Sequence, residues 1–302
     1  MSAQTVKPTS VIGMADEYPQ SIDSESDRSV RLVCWEVWGG NARVTTGARL
    51  PGLEAVVYSL PCQGESGGDL YYLGACGSGV MGRICLADVF GHGSAVAEFS
   101  AWLHSVFRAH IHRISPAGVL RSVNKRAVKK GVSALSTAAC FSYNSLNGKL
   151  RYCYAGHPRA LVFRRETQHW DFLDLPGHAS SEPRNTVFGM ASDAEFDVAC
   201  AQLEPGDRFV TYSDGVTELH HPSRGLLGAQ GLIHVLERCS NLDASRTAHE
   251  LLTALQAYAG KPELDHDYVT FMIFDVLPFQ GKNRLYYFLR NNLRRLAGRV
   301  KR

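Results

Sequence analysis

The sequence contains no CxxC pair; its eight cysteines, Cys34, Cys62, Cys76, Cys85, Cys140, Cys153, Cys200 and Cys239, stand singly along the chain. With no secretory leader ahead of them, they suit reduced thiols and a cytoplasmic location. No apolar run approaches the ~18 residues that span a bilayer, so any membrane contact is expected at the periphery, on the inner face. No internal repeat is visible. A recognised nucleic-acid reader motif is also lacking, and no nucleic acid is expected as a partner. No PAS, GAF, receiver or HAMP pattern is recognisable in about the first 50 residues, and any regulation is expected from partners, from the two ends of the chain, or from helix movement inside the domain. Acid is missing from the last 22 residues, which hold eight Lys or Arg. Residues 1–280 therefore carry 24 basic and 29 acidic side chains, a formal −5 within a chain of formal +3, and the basic balance belongs to the tail.

What is present is enough apolar material, 45% of 302 residues, to build one large domain or two small ones. Residues 1–28 are polar, lack sustained periodicity and read as a flexible arm. From Arg31 come short β-type runs, RLVCWEVW, LEAVVYSL, LYYLGA and GRICLADVF, separated by Gly-rich or Pro-containing turns. The period then changes: Val96, Phe99, Leu103, Val106, Phe107 and Ile111 recur at three and four residues, which predicts an amphipathic helix from Ser94. A second helix is expected over roughly 116–130.

Next, TAACFSYNSLNGKLRYCYAG holds two β runs joined around Asn147-Gly148, a hairpin signal, and RALVFRR and HWDFLDL continue the antiparallel pattern. After a loop over 176–194, EFDVACAQL and DRFVTYSDG read as strands flanking Pro205-Gly206. Helical patterns over 228–238 and 243–258 lead to the closing strand VTFMIFDVL. Runs of strands interrupted by helix pairs predict an α+β layered domain over 29–279 rather than alternating βαβ units.

Four acids share one setting. Asp69 precedes LYYLGA, Asp88 ends ICLA, Asp214 ends FVTYS, and Asp267 precedes VTFMIFDV, so each sits at the rim of an expected strand. Asp-Gly and Gly-Asp are ordinary turn formers, and spacing alone does not make the four converge. Were they gathered at one end of a sheet, they would repel unless a cation neutralised them, and an all-oxygen set favours hard ions. Two such ions can lower the pKa of a bridging water and clamp a phosphoryl oxygen, which is hydrolytic chemistry on a phosphate ester.

The ordered strings GGDLYY, ADVFGHGSAVA, STAACFSYNSLNGKLRYCYAGHPRALVFR, FGM, LEPGDRFVTYSDGVTEL and DYVTFMIF resemble the metal-dependent PPM (protein phosphatase 2C-like) phosphatases. The resemblance is to their bacterial SpoIIE and RsbU-like branch, and it spans roughly residues 50–276. It implies a four-layer α-β-β-α sandwich of two antiparallel sheets flanked by helices, holding two divalent cations, Mn²⁺ or Mg²⁺, between the sheets. By motif, Asp88 resembles the carboxylate that bridges the ions, with the Val89 carbonyl as a further ligand. Asp69 resembles a ligand or water-mediated partner of one ion, and Asp214 and Asp267 the holders of the other.

The closing motif departs from the DDVT common in relatives, reading Asp267-Tyr268-Val269-Thr270; Asp265, two residues earlier, is the weaker candidate. The resemblance also implies that Gly91 and Gly93 permit the sharp reversal after Asp88. His92 lies four residues beyond Asp88, where the eukaryotic branch has its proposed acid at two, and a turn-stabilising role is expected of it. His157, in AGHP, is expected to fix its loop through a ring nitrogen.

The activity so implied is a protein serine/threonine phosphatase using metal-activated water. Its substrate would be a phosphorylated STAS-domain anti-anti-sigma factor in a partner-switching pathway. The alternative from another class is a catalytically silent pseudophosphatase scaffold, against which the retention of all four aspartates argues. In the tail, Leu285, Leu289, Leu293, Leu296 and Val300 step by three or four among basic residues, which predicts a basic amphipathic helix over 280–302. It suits an anionic membrane surface, an acidic partner, or its own domain.

Overall fold

A computed structural model describes residues 35–40, 43–60, 68–75, 79–91, 94–113, 115–131, 135–175, 185–264 and 267–279, together with Tyr286. The expected arm over 1–28 lies outside the described residues, as do His92, Gly93, Asp265 and, Tyr286 apart, the tail. The first half of the chain forms β1 (Trp35–Gly39), β2 (Val44–Leu50), β3 (Leu53–Leu60), β4 (Leu70–Ala75) and β5 (Met81–Val89). Helices α1 (Ser94–His110) and α2 (Pro116–Lys130) follow, then β6 (Ser136–Asn144), β7 (Lys149–Ala155), β8 (Leu161–Arg164) and β9 (His169–Phe172). The second half holds β10 (Ala199–Gln202), β11 (Arg208–Tyr212), α3 (Asp214–Thr217), β12 (His220–His221) and β13 (Gly225–Leu226). It closes with α4 (Gly228–Arg238), α5 (Ala244–Ala259) and β14 (Val269–Val276).

Two six-stranded sheets carry the architecture, in the orders β1-β4-β5-β6-β7-β10 and β2-β3-β14-β11-β8-β9, with every pairing antiparallel. The period of two assigns each strand's side chains to two different cores. On β5, Ile84 and Leu86 join the core shared by both sheets, while Cys85, Ala87 and Val89 pack with Phe99, Leu103, Leu120 and Val123 of α1 and α2. On β14, Met272, Phe274 and Val276 enter the shared core, and Val269, Phe271 and Ile273 pack with Leu232, Leu236, Leu251 and Leu255 of α4 and α5. The result is an α+β molecule of four layers, helices, sheet, sheet, helices. Strands covered on both faces explain why ICLADV and VTFMIF read as continuous apolar runs rather than alternating ones.

The hairpin at Asn147-Gly148 forms as expected, with Asn144 paired to Lys149. Two readings change. EFDVACAQL is strand only over Ala199–Gln202, and the turn at Pro205-Gly206 links strands of different sheets, β10 in the first and β11 in the second. VTTGARL, which has no continuous apolar run, is the edge strand β2, whose residues alternate between half-buried and exposed along most of its length.

Candidate active site

Asp69 and Asp88 come from neighbouring strands of the first sheet. Leu70 pairs with Ala87, so one further step along the same antiparallel register brings Asp69 opposite Asp88. The Val89 N–H donates to the Gly68 carbonyl at 3.3 Å, which keeps the two strands together at this rim. Gly91, with φ +103°, then turns the chain away from the strand in a conformation that L side chains rarely adopt.

Asp214 and Asp267 come from the second sheet. Asp214 opens the short α3 directly after β11, and Asp267 lies two residues before β14, the antiparallel neighbour of β11. A Cβ at Gly215 would stand 2.1 Å from the Tyr268 carbonyl oxygen, so glycine is what allows the segments bearing these two aspartates to approach so closely. The Tyr268 N–H donates to Asp267 Oδ1 at 2.7 Å, which sets the orientation of that carboxylate.

The two pairs meet across the sheets. Ser213 Oγ donates to Asp69 Oδ2 at 2.9 Å and accepts from the Thr270 N–H at 3.0 Å, tying a first-sheet carboxylate to the second sheet. Thr270 Oγ1 shares a 3.0 Å hydrogen bond with Ser59 Oγ. Ser213 and Thr270, which are not carboxylates, also belong to this neighbourhood; their signal in the sequence is a hydroxyl within three residues of an aspartate at a strand end, in YSDG and DYVT.

Burial sets the electrostatics. Asp69 is 1% and Asp88 8% exposed. Loss of solvent is the main force raising the Asp69 carboxyl, to about 7; the Thr270 and Ser213 hydroxyls oppose the rise, and the Asp214 and Asp267 charges add to it. Asp88 is pushed well above the carboxylate range, first by burial and then by the charges of Asp69, Asp214 and Asp267. Asp214 rises to about 6 through burial and the charges of Asp267 and Glu218, and it shares a hydrogen bond with Asp88. Neighbouring carboxylates thus act on Asp69, Asp88 and Asp214, yet among the described residues no three His, Cys, Asp or Glu side chains are gathered closely enough to hold a metal ion as they stand. Asp69 Oδ1 is buried without a hydrogen-bond partner, an orphan acceptor.

His157 lies buried beside this rim. Its Nδ1 is 2.8 Å from Thr137 Oγ1, and Thr137 is the register partner of Asp88. Burial lowers the imidazole pKa to about 3, partly offset by the Tyr212 backbone, so the ring is neutral and braces the loop, in keeping with the expectation.

Residues 82–276 match the family model described as Stage II sporulation protein E (SpoIIE). Phosphoserine phosphatase RsbU of Bacillus subtilis (strain 168) is 27% identical over 224 residues, covering 70% of this chain and 62% of that protein, so the chain spans less than two thirds of the relative's length. The crystal structure of the RsbU and RsbW domains of Rv1364c from Mycobacterium tuberculosis superposes with a TM-score of 0.65 at 20% identity, covering 87% of this chain and 73% of that one. RsbX in complex with magnesium gives a TM-score of 0.55 at 18% identity, over 77% of this chain and 100% of that one. Both superpositions bear on the fold.

Proposed function

The chain belongs to the Stage II sporulation protein E (SpoIIE) family, and from that premise we propose that it is a metal-dependent protein serine/threonine phosphatase. Its reaction is hydrolysis of the phosphate ester of phosphoserine or phosphothreonine. The observation that carries the reading is the convergence of four carboxylates from both sheets at one buried rim, where no ion pair among the described residues reaches any of them.

The donor set fits two hard divalent cations, Mn²⁺ or Mg²⁺. All its candidate donors are oxygens, one buried carboxylate oxygen has no partner, and Asp88 and Asp214 stand close enough to share a proton. Asp69, Asp88, the Val89 carbonyl, Asp214 and Asp267 would hold them. Such cations supply Lewis acidity toward a phosphoryl oxygen and make water a nucleophile at neutral pH. The chain's own residues position and charge the site. Ser213 and Thr270 hold Asp69 in one orientation, the β5 rim fixes Asp88, and the neutral His157 fastens the strand opposite Asp88 without offering a proton at neutral pH.

The substrate we propose is a phosphorylated STAS-domain anti-anti-sigma protein of a partner-switching pathway, a reading supported by similarity to a protein named phosphoserine phosphatase RsbU. For residues 281–302, with eight Lys or Arg and no acid, we propose peripheral contact with anionic lipid. Loss of co-sedimentation with phosphatidylserine vesicles on truncation after Phe279 tests that contact, and equal sedimentation of the two forms rejects it.

The test of activity is hydrolysis of a phosphoserine peptide by the full chain with Mn²⁺ and with chelator. The wild type is expected to require the metal. Asp88→Asn should lower turnover by more than the roughly 100-fold that loss of an outer-shell partner costs, with circular dichroism unchanged. A variant that keeps most of its turnover at saturating Mn²⁺ rejects the assignment.

A further inference from the structure

Charge on the outer helices is the feature that the carboxylate site leaves unused. Residues 94–131, which cover the first sheet, hold seven Lys or Arg and one acid, Glu98. The rest of residues 35–280 holds 14 Lys or Arg and 23 Asp or Glu, the opposite balance. On α2, Val119, Leu120, Val123 and Ala127 are buried toward the sheet, whereas Arg121, Lys125 and Lys129 recur every fourth residue on the exposed side, with Arg126 and Lys130 beside them.

Arg121 meets Glu195 at 2.9 Å; among the described residues no carboxylate pairs with Lys125, Arg126, Lys129, Lys130 or the exposed Arg108 of α1. Lys130 instead lies 5.6 Å from the ring centre of the half-buried Trp102. Crowding of positive charge extends to His110, whose pKa is lowered by burial and by both Arg113 and Arg126.

Lys129 and Lys130, in the last turn, suit the helix dipole, but Lys125 and Arg126 lie ahead of that turn, each four residues from a further cation, and such like-charge spacing destabilises a solvated helix. We propose that this face of α2 is a docking surface for an acidic polypeptide segment, a helix carrying carboxylates at four-residue spacing. Four residues advance a helix by about 6 Å, so Lys125 and Lys129, which no described carboxylate pairs, match carboxylates at i and i+4 of a helix laid alongside, beyond the Arg121–Glu195 pair. Trp102 under Lys130 adds the aromatic and cationic anchor typical of strong contact points. A compact acidic helix touches the patch alone. A bilayer or a nucleic-acid duplex would reach past the patch toward the rest of residues 35–280, whose formal balance is negative. Residues 281–302 have the wrong sign to cover the patch. The proposal does not depend on the hydrolytic reading of the carboxylate site.

The experiment titrates the full chain, at about 0.15 M salt, with a labelled helix-forming peptide of about 20 residues bearing Glu at every fourth position. A twin peptide with Gln in place of Glu, phosphatidylserine vesicles and a short DNA duplex are run beside it. Binding of the Glu peptide but not its twin is expected, with slowed hydrogen exchange over 116–130. The double variant Lys125→Gln/Lys129→Gln should bind at least about tenfold more weakly, while Lys125→Arg/Lys129→Arg binds as wild type and both melt as wild type. No binding of the Glu peptide, or equal binding by the Gln variant, would overturn the proposal. So would vesicle or duplex binding that the Gln substitutions abolish while the Glu peptide is indifferent to them.

Discussion

Strands β11 and β14 lie side by side and carry buried charge at both ends, but the two ends are neutralised by different means. At one end Arg208 pairs in register with Asp275, its Nε 2.5 Å from Oδ1 and its Nη2 3.1 Å from Oδ2. The same guanidinium donates to Thr247 Oγ1 and to the Cys239 and Leu242 carbonyls, and Asp275 also accepts from the Ala244 N–H at 2.9 Å. Asp207 next to it is held by Arg164 at 3.0 Å and by the N–H groups of Arg165 and Glu204. At the other end Asp214 and Asp267 face Asp69 and Asp88, with one buried carboxylate oxygen unpartnered and no ion pair to any of the four among the described residues. Buried charges persist where they are paired or metal-bound. One end of this sheet brings its own cation, and the function proposed above has the other take a cation from outside.

Breaking the self-sufficient end should have the largest effect on folding. Arg208→Ala strands the half-buried Asp275 and frees two carbonyls, so the free energy of unfolding in urea should fall by about 3–5 kcal/mol. Because the site end is untouched, the stabilisation gained on adding Mn²⁺ should survive in whatever fraction remains folded. Loss of that metal response in Arg208→Ala would mean that the two ends are not independent.

A smaller effect is expected from loosening the site end without removing a ligand. Ser213→Ala takes the donor from Asp69 Oδ2 and the acceptor from the Thr270 N–H. Its expected cost is about 10–100-fold in Mn²⁺ affinity by calorimetry, the range for outer-shell partners of metal ligands. Unchanged affinity would reduce Ser213 to a structural link between the sheets.

The contrast between the ends was only half legible in the sequence. Asp69, Asp88, Asp214 and Asp267 could be picked out because each breaks an apolar run at its rim, and the order of motifs assigned the family's layers. Their division into two pairs from two sheets depends on which strands are neighbours, which no local pattern states: β10 and β11 are joined by only five residues around Pro205-Gly206, yet lie in different sheets. The partnership of Arg208 with Asp275 spans 67 residues and has no spacing signature. Strand β2 escaped notice because an edge strand with one solvated face lacks the continuous apolar run that identified the inner strands.

If an external divalent cation completes the carboxylate rim, the pH dependence of stability takes a definite sign. Asp69 and Asp214, raised to about 7 and about 6 from 3.8, bind protons more tightly in the folded chain than in the unfolded one. The metal-free protein therefore loses their stabilising protonation as pH rises from about 4 through about 7. His157, lowered to about 3 from 6.5, works oppositely: its contribution is complete above about 6.5 and is lost as pH falls toward 3. A divalent cation replaces the carboxylate protons and leaves the imidazole alone, so the difference between melting curves with and without Mn²⁺ isolates the rim. The measurement is that difference at pH 5, 6, 7 and 8, for the wild type and for Asp88→Asn. In the wild type the Mn²⁺ increment should grow with pH; in Asp88→Asn it should vanish, and the metal-free variant should melt no lower than the wild type at pH 8, because an amide removes like-charge repulsion. An increment that is flat with pH, or that persists in Asp88→Asn, would contradict the claim.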